Sequence, residues 1–135
     1  MEEFLKKLKI NKLKCTPKRK AVIRLFLDEK RYLSPDEIFS LIKKEFKKAS
    51  LPSVYRNLEE LCDIGILLKV MRPDRRLYYA LCGAKKDAHH HHIICVKCGK
   101  IGEFPDCDLF NKKVSGGFKI LNHFLQLDGL CKECR

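Results

Sequence analysis

Hydrophobic positions in the first part of the chain recur at the three- and four-residue spacing of amphipathic helices. Glu2–Ile10 is a short amphipathic stretch. A first helix of the motif begins where Thr16 precedes Pro17, because threonine is a favoured N-cap and proline a favoured first helical residue. The Ser34-Pro35-Asp36-Glu37 capping box opens the second, and the third is expected to begin around Pro52-Ser53.

The spacing changes to that of strands after Gly65, where the last helix should stop. Two short apolar runs, Ile66–Met71 and Leu77–Leu81, are separated by a basic turn at residues 72–76 and predict a β-hairpin. Three helices followed by a hairpin with a basic tip predict a winged helix-turn-helix. In that motif the last helix enters the DNA major groove and the wing lies along the backbone.

The second part of the chain begins after a short polar connector. Strands are predicted over His90–Val96 and Lys100–Phe104, a short helix over Asp106–Val114, and a long strand over Phe118–Leu127. These elements offer too little core to be stable alone, so zinc and dimerisation are the expected supplements.

The predicted fold class is therefore α+β. Residues 1–82 are expected to form a winged-helix DNA-binding domain, 83–88 a connector, and 89–135 a small α/β metal-binding dimerisation domain with a four-cysteine zinc site.

The charge is concentrated in the part that carries the predicted winged helix. Of the net +12, residues 1–87 contribute 22 Lys and Arg against 12 Asp and Glu, and residues 88–135 contribute 7 against 5. Such a surface favours nucleic acid first and an anionic membrane second, although a solvated basic surface remains an alternative. No apolar run approaches the ~20 residues of a membrane span, and the start lacks the pattern of a signal peptide. A cytoplasmic location is expected, where the eight cysteines would be reduced.

Four of the cysteines form two Cys-x-x-Cys pairs, Cys95/Cys98 and Cys131/Cys134. Each pair places two thiolates on one tight turn, and two pairs complete a tetrahedral all-sulfur shell for zinc. A disulfide is disfavoured by the compartment, and a redox couple is the other alternative. Because four thiolates saturate zinc, this site is expected to be structural rather than sensory.

A run of four histidines, His89 to His92, stands immediately before the first cysteine pair. On a strand, alternate side chains point to opposite faces, so His89 and His91 would share one face and His90 and His92 the other. The run thus predicts two further metal sites; a solvated histidine edge is the alternative.

The chain resembles the ferric-uptake-regulator family of bacterial metal-dependent repressors, which has zinc, iron and peroxide-sensing branches. The motifs that carry the resemblance are Thr16-Pro17-Lys18-Arg19, Ser53-Val54-Tyr55-Arg56-Asn57-Leu58, the block from His89 to Phe104, Gly116-Gly117-Phe118, Asn122-His123 and Gly129-Leu130-Cys131-Lys132-Glu133-Cys134. The resemblance implies a homodimer that binds a palindromic double-stranded operator and represses metal-homeostasis genes. Metal binding would set the angle between the two winged helices.

The resemblance also implies an interdomain sensory site. Its ligands are expected to be Cys82, His90 and His92, with Glu103 as a possible third or fourth ligand. A thiolate with two imidazoles suits zinc better than Fe²⁺ or Mn²⁺. The alternative for Cys82 is a buried apolar thiol.

Ligands of the iron and peroxide branches are missing from this chain. Tyr32 stands where those branches carry a further histidine, and Ala80 where they carry a carboxylate. An aspartate of the zinc branch also corresponds to Leu68, so Glu103 would substitute for it. Zinc is the expected regulator, with iron-responsive or peroxide-sensing repression as alternatives and Fe²⁺ or Mn²⁺ as possible regulatory metals.

A second site is expected from His89, His91 and His123, with Asp108 as the acidic ligand and Asp106 in reserve. The residues expected to contact DNA lie on the predicted helices and the wing; they are Lys14, Thr16, Arg19, Ser53, Tyr55, Arg56, Arg75 and Arg76. Tyr55 could instead pack between helices.

Other functions explain less of the sequence. A zinc hydrolase could use the histidines and Glu103 to activate water, but the sequence has no His-Glu-x-x-His motif, so no enzyme activity and no small-molecule substrate are expected. A metal-buffering or redox protein would leave the winged helix and the basic charge unused.

Overall fold

The computed structural model describes residues 1–82, 90–104 and 114–135. The chain divides into two units, Met1–Cys82 and Gly83–Arg135. The helices are α1 (Glu2–Ile10), α2 (Pro17–Glu29), α3 (Pro35–Glu45) and α4 (Leu51–Asp63). The strands are β1 (Leu67–Met71), β2 (Leu77–Leu81), β3 (His91–Cys95), β4 (Ile101–Phe104), β5 (Val114–Ser115), β6 (Phe118–Lys119) and β7 (Gln126–Gly129).

Side-chain caps fix where the helices of the first unit begin. The Thr16 hydroxyl accepts the Arg19 backbone N–H at 3.2 Å, as the sequence predicts. The Ser34 and Glu37 capping box is confirmed, with both reciprocal hydrogen bonds formed.

The fourth helix begins slightly earlier than the prediction around Pro52-Ser53. Ser50 is its N-cap, and the Ser50 and Ser53 side chains exchange hydrogen bonds with each other's backbone N–H groups. The helix ends at Gly65, whose backbone φ of +76° is rarely adopted by residues other than glycine.

The core of the first unit lies between α2, α3, α4 and the hairpin. Phe26, Ile38, Leu58, Leu61 and Tyr79 are almost completely buried within it. Burying each such apolar side chain stabilises the fold by about 1.5–3 kcal/mol relative to leaving it exposed. This packing of three helices and a hairpin is the predicted winged helix-turn-helix.

The hairpin of the first unit is antiparallel, with Leu68 opposite Ala80 and Lys69 opposite Tyr79. Leu33, in the loop between α2 and α3, forms an isolated bridge to Tyr79 through two backbone hydrogen bonds of 2.8 and 2.9 Å. The loop therefore holds the outer edge of β2 close to the helices.

The second unit contains a three-stranded sheet in the order β4-β3-β7, in which β3 pairs antiparallel with β4 and parallel with β7. β5 and β6 form a separate two-stranded hairpin around Gly116 and Gly117, both with positive φ. Among the described residues, no helix is long and apolar enough to cross a membrane.

One long-strand prediction is wrong. The stretch Phe118–Leu127 is divided into β6, an irregular segment and β7. β7 extends only as far as its pairing with β3, from His92↔Gln126 to Cys95↔Gly129. Among the described residues, no strand supplies backbone partners to residues 120–125, and apolar spacing alone cannot produce a strand without them. The predicted connector 83–88 and most of the helix predicted over Asp106–Val114 lie outside the described residues, although Val114 itself begins β5.

Candidate metal centre and nucleic-acid surface

The two cysteine pairs are brought together by the parallel pairing of β3 and β7. Cys95 ends β3, and Cys131 follows two residues after β7 ends at Gly129. Because the carboxyl ends of parallel neighbours meet at the same edge of a sheet, the turns that carry Cys98 and Cys134 also meet there. A pairing between strands more than thirty residues apart thus builds one cluster from two local motifs.

The four sulfur atoms of Cys95, Cys98, Cys131 and Cys134 all lie within 4.8 Å of one another. The Cys98 and Cys131 Sγ atoms are 3.7 Å apart. Two thiolates on a tetrahedral zinc with Zn–S bonds near 2.3 Å would be about 3.8 Å apart. The cluster therefore fits a zinc site.

Backbone N–H groups prepare one of these thiols for metal binding. The N–H groups of Cys131, Cys98 and Lys97 point at the Cys95 sulfur and lower the pKa of its thiol to about 6. The Cys131 N–H donates to this sulfur at 3.4 Å. Since the thiolate is the form that binds metal, these donors favour the ligating state.

Two charged residues beside the cluster were not predicted as part of it. Glu133 accepts a hydrogen bond from Cys131 Sγ at 3.4 Å, and the Lys100 ammonium lies 3.6 Å from the same carboxylate. Lys100 thus brings positive charge next to a group of potential thiolates. The only sequence signal was the position of Glu133 inside a Cys-x-x-Cys pair.

Histidines of β3 face two different directions, as strand geometry predicts. His91 is buried, and its Nε2 lies 3.0 Å from the Nε2 of His123. Two imidazoles on one tetrahedral zinc would place their nitrogens about 3.3 Å apart, given Zn–N bonds near 2.05 Å. The structure thus joins two of the four ligands predicted for the second site.

His90 and His92 form the other histidine pair, with ring centroids 4.7 Å apart. Burial, and then the neighbouring His90, lower the pKa of His92, which favours the neutral imidazole that metals require. Glu103 is paired directly opposite His92 on β4 and is exposed. These three predicted ligands therefore share one region of the sheet.

Cys82 belongs to the first unit, so its place beside these histidines stays a prediction. It follows β2 and its backbone N–H donates to the Ile66 carbonyl at 2.9 Å, while its side chain is half-buried. On the same hairpin, Ala80 is fully buried opposite Leu68. His89, Asp108 and Asp106 lie outside the described residues, so their predicted roles are also untested.

The predicted base-contacting residues lie near the start of α4. Tyr55 is 40% exposed and Arg56 is exposed, so both side chains can be reached by a partner. The Ser53 hydroxyl donates to the Ser50 carbonyl at 2.8 Å, within the helix cap. Ser53 therefore has a structural role, and Tyr55 is not a core residue.

The residues predicted to meet phosphates before and within α2 differ in their surroundings. Lys14 is exposed, whereas only 11% of the Arg19 side chain is exposed and its guanidinium pairs with Glu60 of α4. Arg19 also donates to the Lys14 carbonyl at 2.7 Å. These contacts favour a role for Arg19 in fixing α2 to α4, and Thr16 caps the same helix.

The wing tip carries exposed arginines on an ordered turn. The Arg75 N–H donates to the Arg72 carbonyl at 2.9 Å, and Arg75 has a φ of +63°. Asp74 accepts the Arg76 N–H at 2.9 Å. The turn presents Arg75 and Arg76 to solvent, which is where a wing would meet a DNA backbone.

Comparisons with known proteins agree on one family. A sequence model of the family described as "Ferric uptake regulator family" matches residues 10–128. The chain is 30% identical over its whole length to the peroxide-responsive repressor PerR of Staphylococcus epidermidis, covering 90% of that protein.

Two solved structures resemble the fold. The ferric uptake regulator Fur of Helicobacter pylori, described as having three functional metal-binding sites, is 32% identical with a TM-score of 0.59, and the match covers 98% of this chain and 89% of that one. A zinc uptake regulator complexed with zinc and DNA has a TM-score of 0.79 at 24% identity, covering 98% and 90%. The latter likeness concerns the fold alone.

Proposed function

The chain belongs to the ferric uptake regulator family, whose members are transcription regulators rather than enzymes, and from this premise we propose that it is a zinc-responsive repressor of metal-homeostasis genes. The observation that carries the proposal is the composition of β3. Its two histidines belong to separate pairs, His91 with His123 and His92 with the preceding His90, and the strand ends in a four-thiol cluster with zinc spacing. The chain therefore offers more metal ligands than a structural site needs.

The four-cysteine cluster would hold a structural zinc. The four thiolates complete a tetrahedral shell, and the bound metal would join the turn after β3 to the C-terminal turn. Because this unit has few buried residues among those described, zinc would supply much of its folding free energy. Zinc bound here would cross-link the two turns and would have no open coordination position.

The sensory zinc would be held by Cys82, His90 and His92, with Glu103 as a further ligand. Zinc is favoured over Fe²⁺ or Mn²⁺ because the set includes a thiolate. The positions where the iron branches would supply further ligands are Tyr32, whose ring packs 5.0 Å from that of Tyr78, and the buried Ala80. His91 and His123, with His89 and Asp108, would form the second site.

The protein would bind a palindromic double-stranded DNA operator as a homodimer. Support comes from the exposed Tyr55 and Arg56 on α4 and the exposed arginines of the wing. The zinc uptake regulator of similar fold is described in complex with DNA. A metal whose ligands come from both domains would favour the DNA-binding arrangement by binding it more tightly than other arrangements.

The test is operator binding as a function of free zinc. A duplex selected from a random-sequence library by the wild-type protein with zinc is titrated at several buffered zinc concentrations. Operator affinity should rise with zinc, and Cys82→Ser should shift the response to at least about tenfold higher free zinc, since even the loss of an outer-shell partner costs about 10–100-fold in metal affinity. Cys15→Ser is the matched control, because Cys15 is exposed and lies outside the thiol cluster.

An unchanged operator affinity after chelation would reject metal-dependent repression altogether. A normal response to zinc in Cys82→Ser, together with a response to Fe²⁺, would support the iron-dependent alternative instead.

Peroxide sensing is the second candidate, because the Staphylococcus epidermidis relative is a peroxide-responsive repressor. It would require bound iron and an oxidisable histidine. Mass spectrometry after peroxide treatment of the iron-loaded protein checks this: oxidised His90 or His92 supports the candidate, and unmodified histidines exclude it.

A further inference from the structure

One carboxylate on α4 binds both strands of the wing at the same position. Glu59 Oε1 accepts a hydrogen bond from the Tyr79 hydroxyl at 2.7 Å, and Glu59 Oε2 accepts one from the Lys69 ammonium at 2.8 Å. Lys69 and Tyr79 are directly opposite each other in the β1–β2 pairing. Both oxygens of Glu59 are therefore used, one for each strand of the hairpin.

The adjacent carboxylate of α4 points to a different element. Glu60 pairs with Arg19 of α2, as described above. Two consecutive acidic residues thus connect α4 to opposite neighbours, Glu59 to the wing and Glu60 to α2. This arrangement provides a matched comparison within a single turn of helix.

The wing contact is close to the wing tip. Beyond Lys69 and Tyr79 the hairpin has two more residue pairs, Val70 with Tyr78 and Met71 with Leu77, before the turn that carries Arg75 and Arg76. At about 3.3 Å per residue, the contact lies about 7 Å along the strands from the last pair before the turn. A small change in the angle of the hairpin at this contact would displace the tip arginines.

In this contact, Glu59 and Lys69 form an ion pair, and the Tyr79 hydroxyl is a neutral donor. Hydrogen bonds from Lys69 and then Tyr79 lower the pKa of Glu59, so the carboxylate is ionised at neutral pH. Charge-assisted hydrogen bonds of this kind are shorter and stronger than neutral ones. The Glu59 and Lys69 side chains are each 44% exposed, however, so their pair contributes little to overall stability.

We propose that Glu59 is a positioning residue for DNA binding, which holds the wing at a fixed angle to α4 through Tyr79 and Lys69. The inference rests on the proposed function, because it assumes that α4 and the wing engage the same duplex. Glu59 would not touch the DNA. Its role would be to let Tyr55 and Arg56 of α4 and the arginines of the wing tip reach the duplex together.

The test is a set of double-mutant cycles on operator affinity with saturating zinc. The wing-tip change is the pair Arg75→Ala and Arg76→Ala, measured in four backgrounds: wild type, Tyr79→Phe, Glu59→Gln and Glu60→Gln. The duplex is the one selected by the wild-type protein. Removing the two arginines should weaken binding in wild type and lower the slope of log affinity against log salt by about one per lost phosphate contact.

In Tyr79→Phe and Glu59→Gln, the same wing-tip change should reduce operator affinity by a factor at least about threefold smaller than in wild type. The reason is that the wing no longer holds its arginines against the DNA backbone. Glu60→Gln removes an equal charge from the same helix but leaves the wing contact intact, so its cycle should match wild type. Thermal unfolding and zinc content of each variant confirm folding. Tyr79→Phe and the partly exposed Glu59→Gln are both conservative changes.

Equal costs of the wing-tip change in all four backgrounds would overturn the positioning role and leave Glu59 as a stabilising contact only. A reduced cost in Glu60→Gln as well would also overturn it, since any loss of charge on α4 would then suffice. If the wild-type protein binds no duplex in a zinc-dependent manner, the proposed function itself fails. That result differs from either outcome of the cycles.

Discussion

A single cysteine shows how strongly the surroundings of a residue decide its chemistry. Cys98 and Cys15 are both exposed, yet Cys98 has a second sulfur 3.7 Å away and Cys15 lies outside the cluster. Cys98→Ser should therefore release zinc to a chelator that leaves the wild-type protein loaded, because three thiolates no longer saturate the metal. Metal analysis after mild chelation measures the difference.

Cys15→Ser is the control for that measurement and should retain zinc as the wild type does. If Cys98→Ser kept one zinc per chain under the same chelation, the four-cysteine site would not be the structural anchor.

The charge partners of individual residues were the least predictable feature. Arg19 was expected to meet phosphates, but its guanidinium is largely buried against Glu60, 41 residues further along the chain. Glu59 likewise meets Tyr79 across 20 residues. No local spacing predicts such pairs, since they depend on how the helices and the hairpin pack.

Within elements, the helix starts rest on side-chain caps that the sequence displays. Ser34→Ala should destabilise the protein by about 1 kcal/mol, because the Glu37 backbone N–H at the start of α3 loses its acceptor. Urea unfolding followed by circular dichroism measures the change. Ser40→Ala is the matched control, since Ser40 is exposed within the same helix.

The control should be neutral or slightly stabilising, because alanine is the better helix former. Equal stabilities of the Ser34→Ala and Ser40→Ala variants would show that the capping box contributes nothing measurable.

Elements that depend on local chemistry were predicted well, and those that depend on distant partners were not. The caps at Thr16 and Ser34 and both strands of the wing are confirmed. The strand predicted over Phe118–Leu127 failed because its only partner in the described sheet, β3, pairs with Gln126–Gly129. The cysteine cluster was predictable despite its long range, since zinc chemistry requires the two pairs to meet.

At the scale of the whole molecule, exposed apolar side chains are a feature of the described surface of the second unit. In the second unit several large hydrophobic side chains are exposed, including Phe118 at 78% and Leu121 at 84%. The others among the described residues of this unit are Val96, Val114, Phe124 and Leu130. Where exposed apolar side chains gather on a surface, they mark protein–protein interfaces. A second copy of the chain is the partner that the proposed palindromic operator requires.

Phe118→Glu should therefore convert the protein from dimer to monomer in sedimentation velocity at micromolar concentration, because it would bury a charge without a partner at the interface. Ile10→Glu is the matched control, since Ile10 is equally exposed but lies on α1 in the first unit. In the proposed complex each protomer would bind one half-site, so the monomeric variant should lose most of its operator affinity while keeping the zinc proposed for the four-cysteine site. A dimer in both variants would place the interface elsewhere. A monomeric wild type would remove the basis for a palindromic operator.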